Sequence, residues 1–248
     1  MPSCAAIVLA AGKGTRMGSE LPKVLQLFRG EPLVAHPVRA ASRLGADPIV
    51  LVVGYGADRV EATVREAFGP LASRLRFAPQ TQQLGTGHAV LCAMAQLEDV
   101  HGPVLILSGD VPLVRQATLE ALVAACVATS AGLALATFEP EDTTGYGRIL
   151  RDDRGRVVGI REHRDASEPE LAIRECNAGL YCIDAQHLRD ELPRLGQTNA
   201  QGEIYLTDVV ARRASTADVA ALPIAAIEAA GVNTLAELAR LEREAERD

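Results

Sequence analysis

The densest group of residues able to do chemistry lies near the start of the chain, where Leu9-Ala10-Ala11-Gly12-Lys13-Gly14-Thr15-Arg16-Met17 is followed by Leu21-Pro22-Lys23. An apolar run that breaks into a glycine turn leaves backbone N–H groups unpaired and pointing forward, a ready anion cradle at the carboxyl edge of a parallel sheet. Arg16 and Lys23 would add positive charge to it. The spacing fits neither common phosphate fingerprint: a Walker loop needs G-x-x-x-x-G-K-[ST], and the dinucleotide pattern needs a third glycine where this chain has Met17. An ordinary turn joining strand to helix would account for the glycines, but not for two lysines and an arginine around them. Of 25 basic residues, only Lys13 and Lys23 are lysines. Coding bias explains arginine elsewhere. The two exceptions are either coincidence or places that want a compact ammonium.

Asp110 follows the apolar run 104–107 closely, which puts its carboxylate at the same sheet edge. A hard divalent cation held by one or two protein oxygens and by substrate phosphates would fit there, although an Asp opening the turn before Pro112 would look the same. Gln80 and the Gly85-Thr86 turn can offer amide and main-chain groups to a pyrimidine edge; equally, Gly85 can open a helix that Thr86 caps. Taken alone, Gly147, Glu162 and Asn177 read as a turn glycine, a solvated acid and a polar strand residue. His88 and His163 neighbour these segments and carry no assigned role.

The elements that must position these groups follow a clear rhythm. Runs 5–11, 49–53, 76–78, 104–107 and 133–137 read as strands, whereas 33–44, 58–68, 86–97 and 117–127 carry apolar residues at helical intervals. That alternation predicts an α/β fold, a Rossmann-like, mostly parallel sheet with helices on both faces. Pro37 is expected to kink the first helix. From Thr144 the pattern turns to strands at 146–150, 156–161 and 177–182, the first two joined by the Asp152-Asp153-Arg154-Gly155 turn. Such a β-rich insertion suits a substrate lid. Leu235, Leu238 and Leu241 among Glu and Arg mark a closing amphipathic helix.

Composition narrows the function classes. The 248 residues are 48% hydrophobic and 23% charged, enough for a sizeable core and unlike a disordered chain. A net charge of −7 disfavours nucleic acid as a partner. No run reaches about 18 apolar residues, and Met1-Pro2-Ser3-Cys4 has no basic leader region, so neither a membrane span nor a signal peptide is expected. The five cysteines are never spaced C-x-x-C and read as reduced core residues of a cytoplasmic protein. No internal repeat is visible, in particular no hexapeptide β-helix array, so acetyl transfer from acetyl-CoA is not expected of these residues.

The motifs, in order, resemble those of the sugar-nucleotide pyrophosphorylase family, and in particular the uridylyltransferase domain of the GlmU type. They are L-A-A-G-K-G-T-R-M, L-P-K at Lys23, Q-L-G-T-G-H-A from Gln83, G-D-V-P-L from Gly109, T-G-Y-G-R-I from Thr144, E-H at Glu162, C-N-A-G from Cys176, Q-G-E-I-Y-L-T-D from Gln201 and G-V-N ending at Asn233. The resemblance runs from Leu9 to about Leu241. It implies a nucleotide-diphospho-sugar transferase fold in one domain over 1–248, with a nucleotide-binding half at 1–140, a sugar-binding half at 141–225, and a metal-ligand loop and C-terminal helix at 226–248. It implies uridylyl transfer from UTP to N-acetylglucosamine 1-phosphate, so the partners are small substrates, with no nucleic acid, no membrane and the oligomeric state left open.

By the same resemblance Arg16 and Lys23 would be catalytic, and Leu9, Ala10, Ala11, Gly12, Gly14, Gln80, Gln83, Gly85, Thr86, Ser108 and Gly109 would hold the nucleotide. Gly147, Glu162 and Asn177 would hold the acetylamino sugar, and Asp110 and Asn233 would pair on Mg²⁺. Three positions depart from the family pattern: Ser108 stands where an aromatic residue is usual, Ala178 where threonine is, and Thr234 where a second asparagine is. These bear on sugar preference more than on the reaction. The glycine loop alone would also serve a cytidylyl- or molybdopterin nucleotidyltransferase, or a non-catalytic nucleotide-sugar-binding regulator. The Gln80 to Ala89 and Asn177 features weigh against the first alternatives, Lys23 and Asp110 against the last.

Overall fold

The computed structural model describes residues 3–246. Strand β1 (Ala5–Ala10) sends Ala6, Val8 and Ala10 into one apolar cluster and Ala5 and Ile7 into another on the opposite side. Side chains alternate along a strand, so an unbroken apolar run has no face for water and must lie between two layers. A short hairpin, β2 (Leu27–Phe28) and β3 (Glu31–Pro32), comes next. Then follow α1 (Ala35–Leu44), β4 (Ile49–Val53), α2 (Ala57–Phe68), β5 (Leu75–Pro79), α3 (Thr86–Met94), β6 (Pro103–Ser108), α4 (Gln116–Ala128) and β7 (Leu133–Phe138). The remainder is β8 (Arg148–Arg151), β9 (Val157–Arg161), α5 (Glu168–Leu171), β10 (Cys176–Asp184), α6 (Ala185–Glu191), α7 (Asp208–Ala214), β11 (Ala220–Pro223) and α8 (Leu235–Ala245).

The main sheet runs in the order β11-β7-β10-β6-β1-β4-β5, with β8 and β9 attached through β10. Neighbours are parallel from β6 to β5 and between β7 and β11; β10 is antiparallel to both β6 and β7. Val38 of α1, Val60 and Val64 of α2 and Leu119 of α4 pack in the cluster on one face. Val90 and Ala93 of α3, Leu188 of α6 and Val209 of α7 pack on the other. The mostly parallel α/β sheet with two helical layers is as expected.

Two expectations are corrected. The first helix starts at Ala35, so Pro37 falls in its first turn, where backbone N–H groups have no intrahelical acceptor; it helps start the helix and does not kink its middle. The strand expected at 177–182 belongs to the centre of the main sheet, and only the β8–β9 hairpin forms the insertion. The reason is burial on both sides: Leu180 and Cys182 enter one cluster, Tyr181 and Ile183 the other. Strands β2, β3 and β11 and helices α5, α6 and α7 were not anticipated from periodicity.

The antiparallel course of β10 has a positional result. Cys176 and Asn177, at its start, lie opposite Phe138 and Thr137 at the carboxyl end of β7. The hairpin paired to Cys176 therefore hangs at the edge where β6 and β1 also end. A third cluster of Met17, Phe28, Leu33, Val232, Leu238 and Leu241 packs α8 against the glycine loop and the β2–β3 hairpin. Among the described residues no helix is long and apolar enough to cross a membrane. The five cysteines are free and all but Cys92 are buried.

Candidate active site

Register brings the site together. Leu9 lies opposite Ser108 and Ala10 opposite Val53, so β1, β4 and β6 end side by side, and the Gly109 N–H donates to the Leu9 carbonyl at 2.9 Å. Past β1, Gly14 adopts φ 61° and opens a single 3-10 turn, Thr15–Met17. A Cβ on Gly14 would sit 2.4 Å from the Lys23 Cβ. Glycine there permits both the left-handed backbone and the passage of the lysine stem across the loop.

The Lys23 ammonium forms an ion pair with Asp110 Oδ2 and donates to Asn233 Oδ1 at 3.2 Å. Arg16 donates to the same Asn233 oxygen at 2.9 Å, and the Ser108 hydroxyl donates to Asp110 Oδ1 at 2.5 Å. Main-chain contacts hold the two oxygen donors in place: the Val232 N–H donates to the Asp110 carbonyl at 3.0 Å, and the Asn233 N–H to Glu237 Oε2 at 2.7 Å. Glu237 also closes a capping box with Thr234 at the start of α8. Thus five sequence-predicted residues meet, with Asn233 more than a hundred positions from each of the others. Lys13 does not join them; it is exposed, with Nζ 5.7 Å from the centroid of the Tyr55 ring.

Among the described residues no group of three or more His, Cys, Asp or Glu is arranged to hold a metal ion. The donor set is smaller, one carboxylate and one amide oxygen turned toward a single cationic group. Two hard oxygens that converge in this way fit Mg²⁺, which commonly completes its octahedron with water and substrate phosphates.

On the nucleotide side, Gln83 donates to the Ala11 carbonyl at 2.9 Å and so ties the second glycine segment to the first. Buried Gln80 donates to the Gly85 carbonyl at 3.1 Å and meets His88 Nδ1 at 3.1 Å. Gly85 has φ 105°, and a Cβ on it would lie 2.6 Å from the Ile204 carbonyl oxygen, so only glycine fits. It does precede α3, but Thr86 does not cap that helix: its hydroxyl instead accepts the Leu206 N–H at 3.1 Å and fastens α3 to the 201–208 segment. Gly12 faces open space on its Cβ side.

On the hairpin side, a Cβ on Gly147 would meet Ile160 Cγ2 at 2.9 Å and Glu162 Oε2 at 3.5 Å, so the two predicted sugar-contact residues are neighbours. Glu162 is not a solvated acid. Burial pushes its pKa up, the charges of Asp165, Asp208 and Glu203 add to that, and the Thr207 hydroxyl, donating at 2.9 Å, opposes it. Asn177 uses both amide atoms inside β10, donating to the Tyr181 hydroxyl at 2.6 Å and accepting the Gly179 N–H at 3.1 Å. These bonds brace the bulge where the β7 register shifts. Tyr146 packs edge-on against Phe138 at 4.9 Å, and burial followed by the nearby charge of Glu237 raises its pKa. Thr207, Tyr181 and Glu237 were missed as site residues; the T-x-x-E spacing of Thr234 and Glu237 was a readable capping signal.

Glu162→Gln is expected to raise thermal stability at neutral pH. The folded-state pKa of Glu162 lies above the unfolded value, so wild type loses stability as pH rises from the ordinary carboxylate range through the shifted one, whereas the amide does not. The difference in Tm between variant and wild type should therefore widen with pH over that interval. A constant difference between about pH 4 and pH 8 would show that Glu162 carries no desolvation penalty.

The fold and this arrangement of cations and oxygens above a glycine turn define a nucleotidyltransferase of the nucleotide-diphospho-sugar transferase fold. A solved structure of UDP-glucose pyrophosphorylase complexed with UDP-glucose shares it, with a TM-score of 0.76, 18% identity, and coverage of 100% of this chain and 99% of that one. Residues 6–216 match the family model of the MobA-like NTP transferase domain, and the chain belongs to that family. Similar curated proteins include the bifunctional protein GlmU of Anaeromyxobacter dehalogenans (strain 2CP-1 / ATCC BAA-258), 54% identical over 239 residues, and that of Cellvibrio japonicus, 48% identical over 241. Each alignment covers 96% of this chain but 49% and 51% of the relative, so the chain spans about half the length of the curated relatives it matches. The family resemblance read from the motifs is borne out.

Proposed function

We propose that this chain transfers the uridylyl group of UTP to N-acetylglucosamine 1-phosphate with the aid of Mg²⁺, giving UDP-N-acetylglucosamine and pyrophosphate. The observation that carries the reading is the meeting of Lys23, Arg16, Asp110 and Asn233 beside the glycine turn. Similarity to GlmU proteins supports the substrate pair, as does a carboxylate beside Gly147, since it can accept hydrogen bonds from sugar hydroxyls.

In the reaction an oxygen of the sugar 1-phosphate attacks the α-phosphorus of UTP while the bond to the β-phosphate oxygen breaks on the opposite side, and pyrophosphate leaves with the electron pair. The nucleophile is already ionised at neutral pH, so no general base is needed. The protein's part is alignment and charge neutralisation. Arg16 and the main-chain N–H groups of the glycine turn hold the triphosphate, and Lys23 meets the charge that builds at the α-phosphate. Gln80 and the Gly85 turn face uracil; Glu162 receives the sugar. Asp110 and Asn233 would hold Mg²⁺, which when bound neutralises charge on the nucleotide and sugar phosphates.

Pyrophosphate release measured over a matrix of nucleoside triphosphates and sugar 1-phosphates tests the reading. UTP with N-acetylglucosamine 1-phosphate should be the fastest pair, and excess EDTA should stop it. Equal turnover in EDTA, or a preference for CTP, would overturn the assignment; UTP binding without turnover would favour a regulatory protein on this fold.

A further inference from the structure

The Lys23 ammonium stands at the point where the two oxygen donors converge. Asp110 Oδ2 and Asn233 Oδ1 both accept from it, Asn233 Oδ1 accepts Arg16 as well, and Asp110 Oδ1 is engaged by Ser108. The Lys23 and Asp110 side chains are only 15% and 14% exposed, so water does little to separate their charges. A divalent cation bound to both oxygens must take the place of this ammonium, because two cations on one carboxylate oxygen in a recessed site repel each other strongly.

We propose that Lys23 is a built-in counter-ion that keeps divalent metal off Asp110 and Asn233 until an anion draws it away. The inference rests on the metal reading given above. The lysine stem passes close over Gly14, where a Cβ would collide with it, and beyond that point its flexible side chain can carry the ammonium from carboxylate to phosphate without a main-chain change. The anion cradle of the same loop supplies the destination. Nucleotide phosphates thus do two things at once: they take up the ammonium and free the oxygens. Metal and nucleotide binding are coupled through one side chain, each favouring the other.

The test is Mn²⁺ binding to the nucleotide-free protein, followed by electron paramagnetic resonance and calorimetry, for wild type, Lys23→Met, Lys23→Gln and Lys23→Arg. Removing the ammonium leaves a recessed carboxylate without a counter-ion, so the Met and Gln variants should bind Mn²⁺ roughly tenfold or more tighter than wild type. Lys23→Arg keeps the charge and should remain weak. The gain should vanish when Asp110→Asn is added to Lys23→Met. If wild type binds Mn²⁺ as tightly as Lys23→Met, and Asp110→Asn abolishes both, the metal site stands and the counter-ion role falls. If no variant binds Mn²⁺ and wild-type turnover survives EDTA, the metal reading itself falls, and the counter-ion role with it.

Discussion

Exchange of Asp110 for asparagine is expected to lower turnover by on the order of 10²-fold or more and to shift the magnesium requirement to higher concentration. The substitution preserves shape. The Asp110 carbonyl still accepts the Val232 N–H, and one side-chain oxygen remains for the Ser108 hydroxyl or the cation site. What is lost is a formal negative charge at the place where Lys23 and the metal are held. Because an amide keeps the geometry and drops the charge, a loss confined to turnover and metal dependence separates electrostatics from folding. Steady-state rates measured across a magnesium series, alongside circular dichroism, decide it. A magnesium dependence like that of wild type would remove Asp110 from the metal site.

The second large effect is expected from Lys23→Arg. Arginine stands at every basic position except Lys13 and Lys23, so this is the change that the chain's own composition favours if charge alone matters. A guanidinium is planar and forked; an ammonium is compact, with three donors that can follow a phosphate through a crowded five-coordinate geometry. The stem at this position also runs tightly over the glycine turn, as the 2.4 Å approach to a Cβ on Gly14 shows. UTP binding should stay within roughly threefold of wild type, whereas turnover should fall about tenfold or more, at least ~1.4 kcal/mol of transition-state stabilisation. Lys13→Arg should lose far less, since Lys13 lies exposed over Tyr55. Full turnover in Lys23→Arg would reduce Lys23 to a source of charge.

Much of this site was legible because its parts are local. The glycine turn, Lys23 and the position of Asp110 follow from where apolar strands stop, and parallel pairing then aligns those ends without further information. The scarcity of lysine pointed to Lys23, though it pointed equally to Lys13, which lies outside the cluster. Asn233 could be assigned only by resemblance, because the contact that places it is a main-chain bond from Val232 to Asp110 across the fold. The role of Glu162 as a desolvated acid depends on Thr207, which periodicity does not connect to it. The placement of β10 was legible in principle: Leu180-Tyr181-Cys182-Ile183 has no polar alternation, and a lid strand facing water would need one. Thr207 and Glu237 show a common reason for the remaining gaps. Each acts by orienting a neighbour, and orientation is set by tertiary approach.

The place of β10 also constrains how the molecule is made. As the chain leaves the ribosome, β1, β4, β5 and β6 can pair with one another, but the outer side of β6 has no partner, since β7 emerges next and pairs elsewhere. That exposed ribbon is apolar throughout Val104–Leu107, the kind of unpaired edge that recruits other chains into aggregates. It is closed only when β10 arrives and inserts between strands already formed. The nascent protein therefore carries a sticky seam from the emergence of β6 until the emergence of β10, and a polypeptide cut between residues 109 and 175 keeps the seam open.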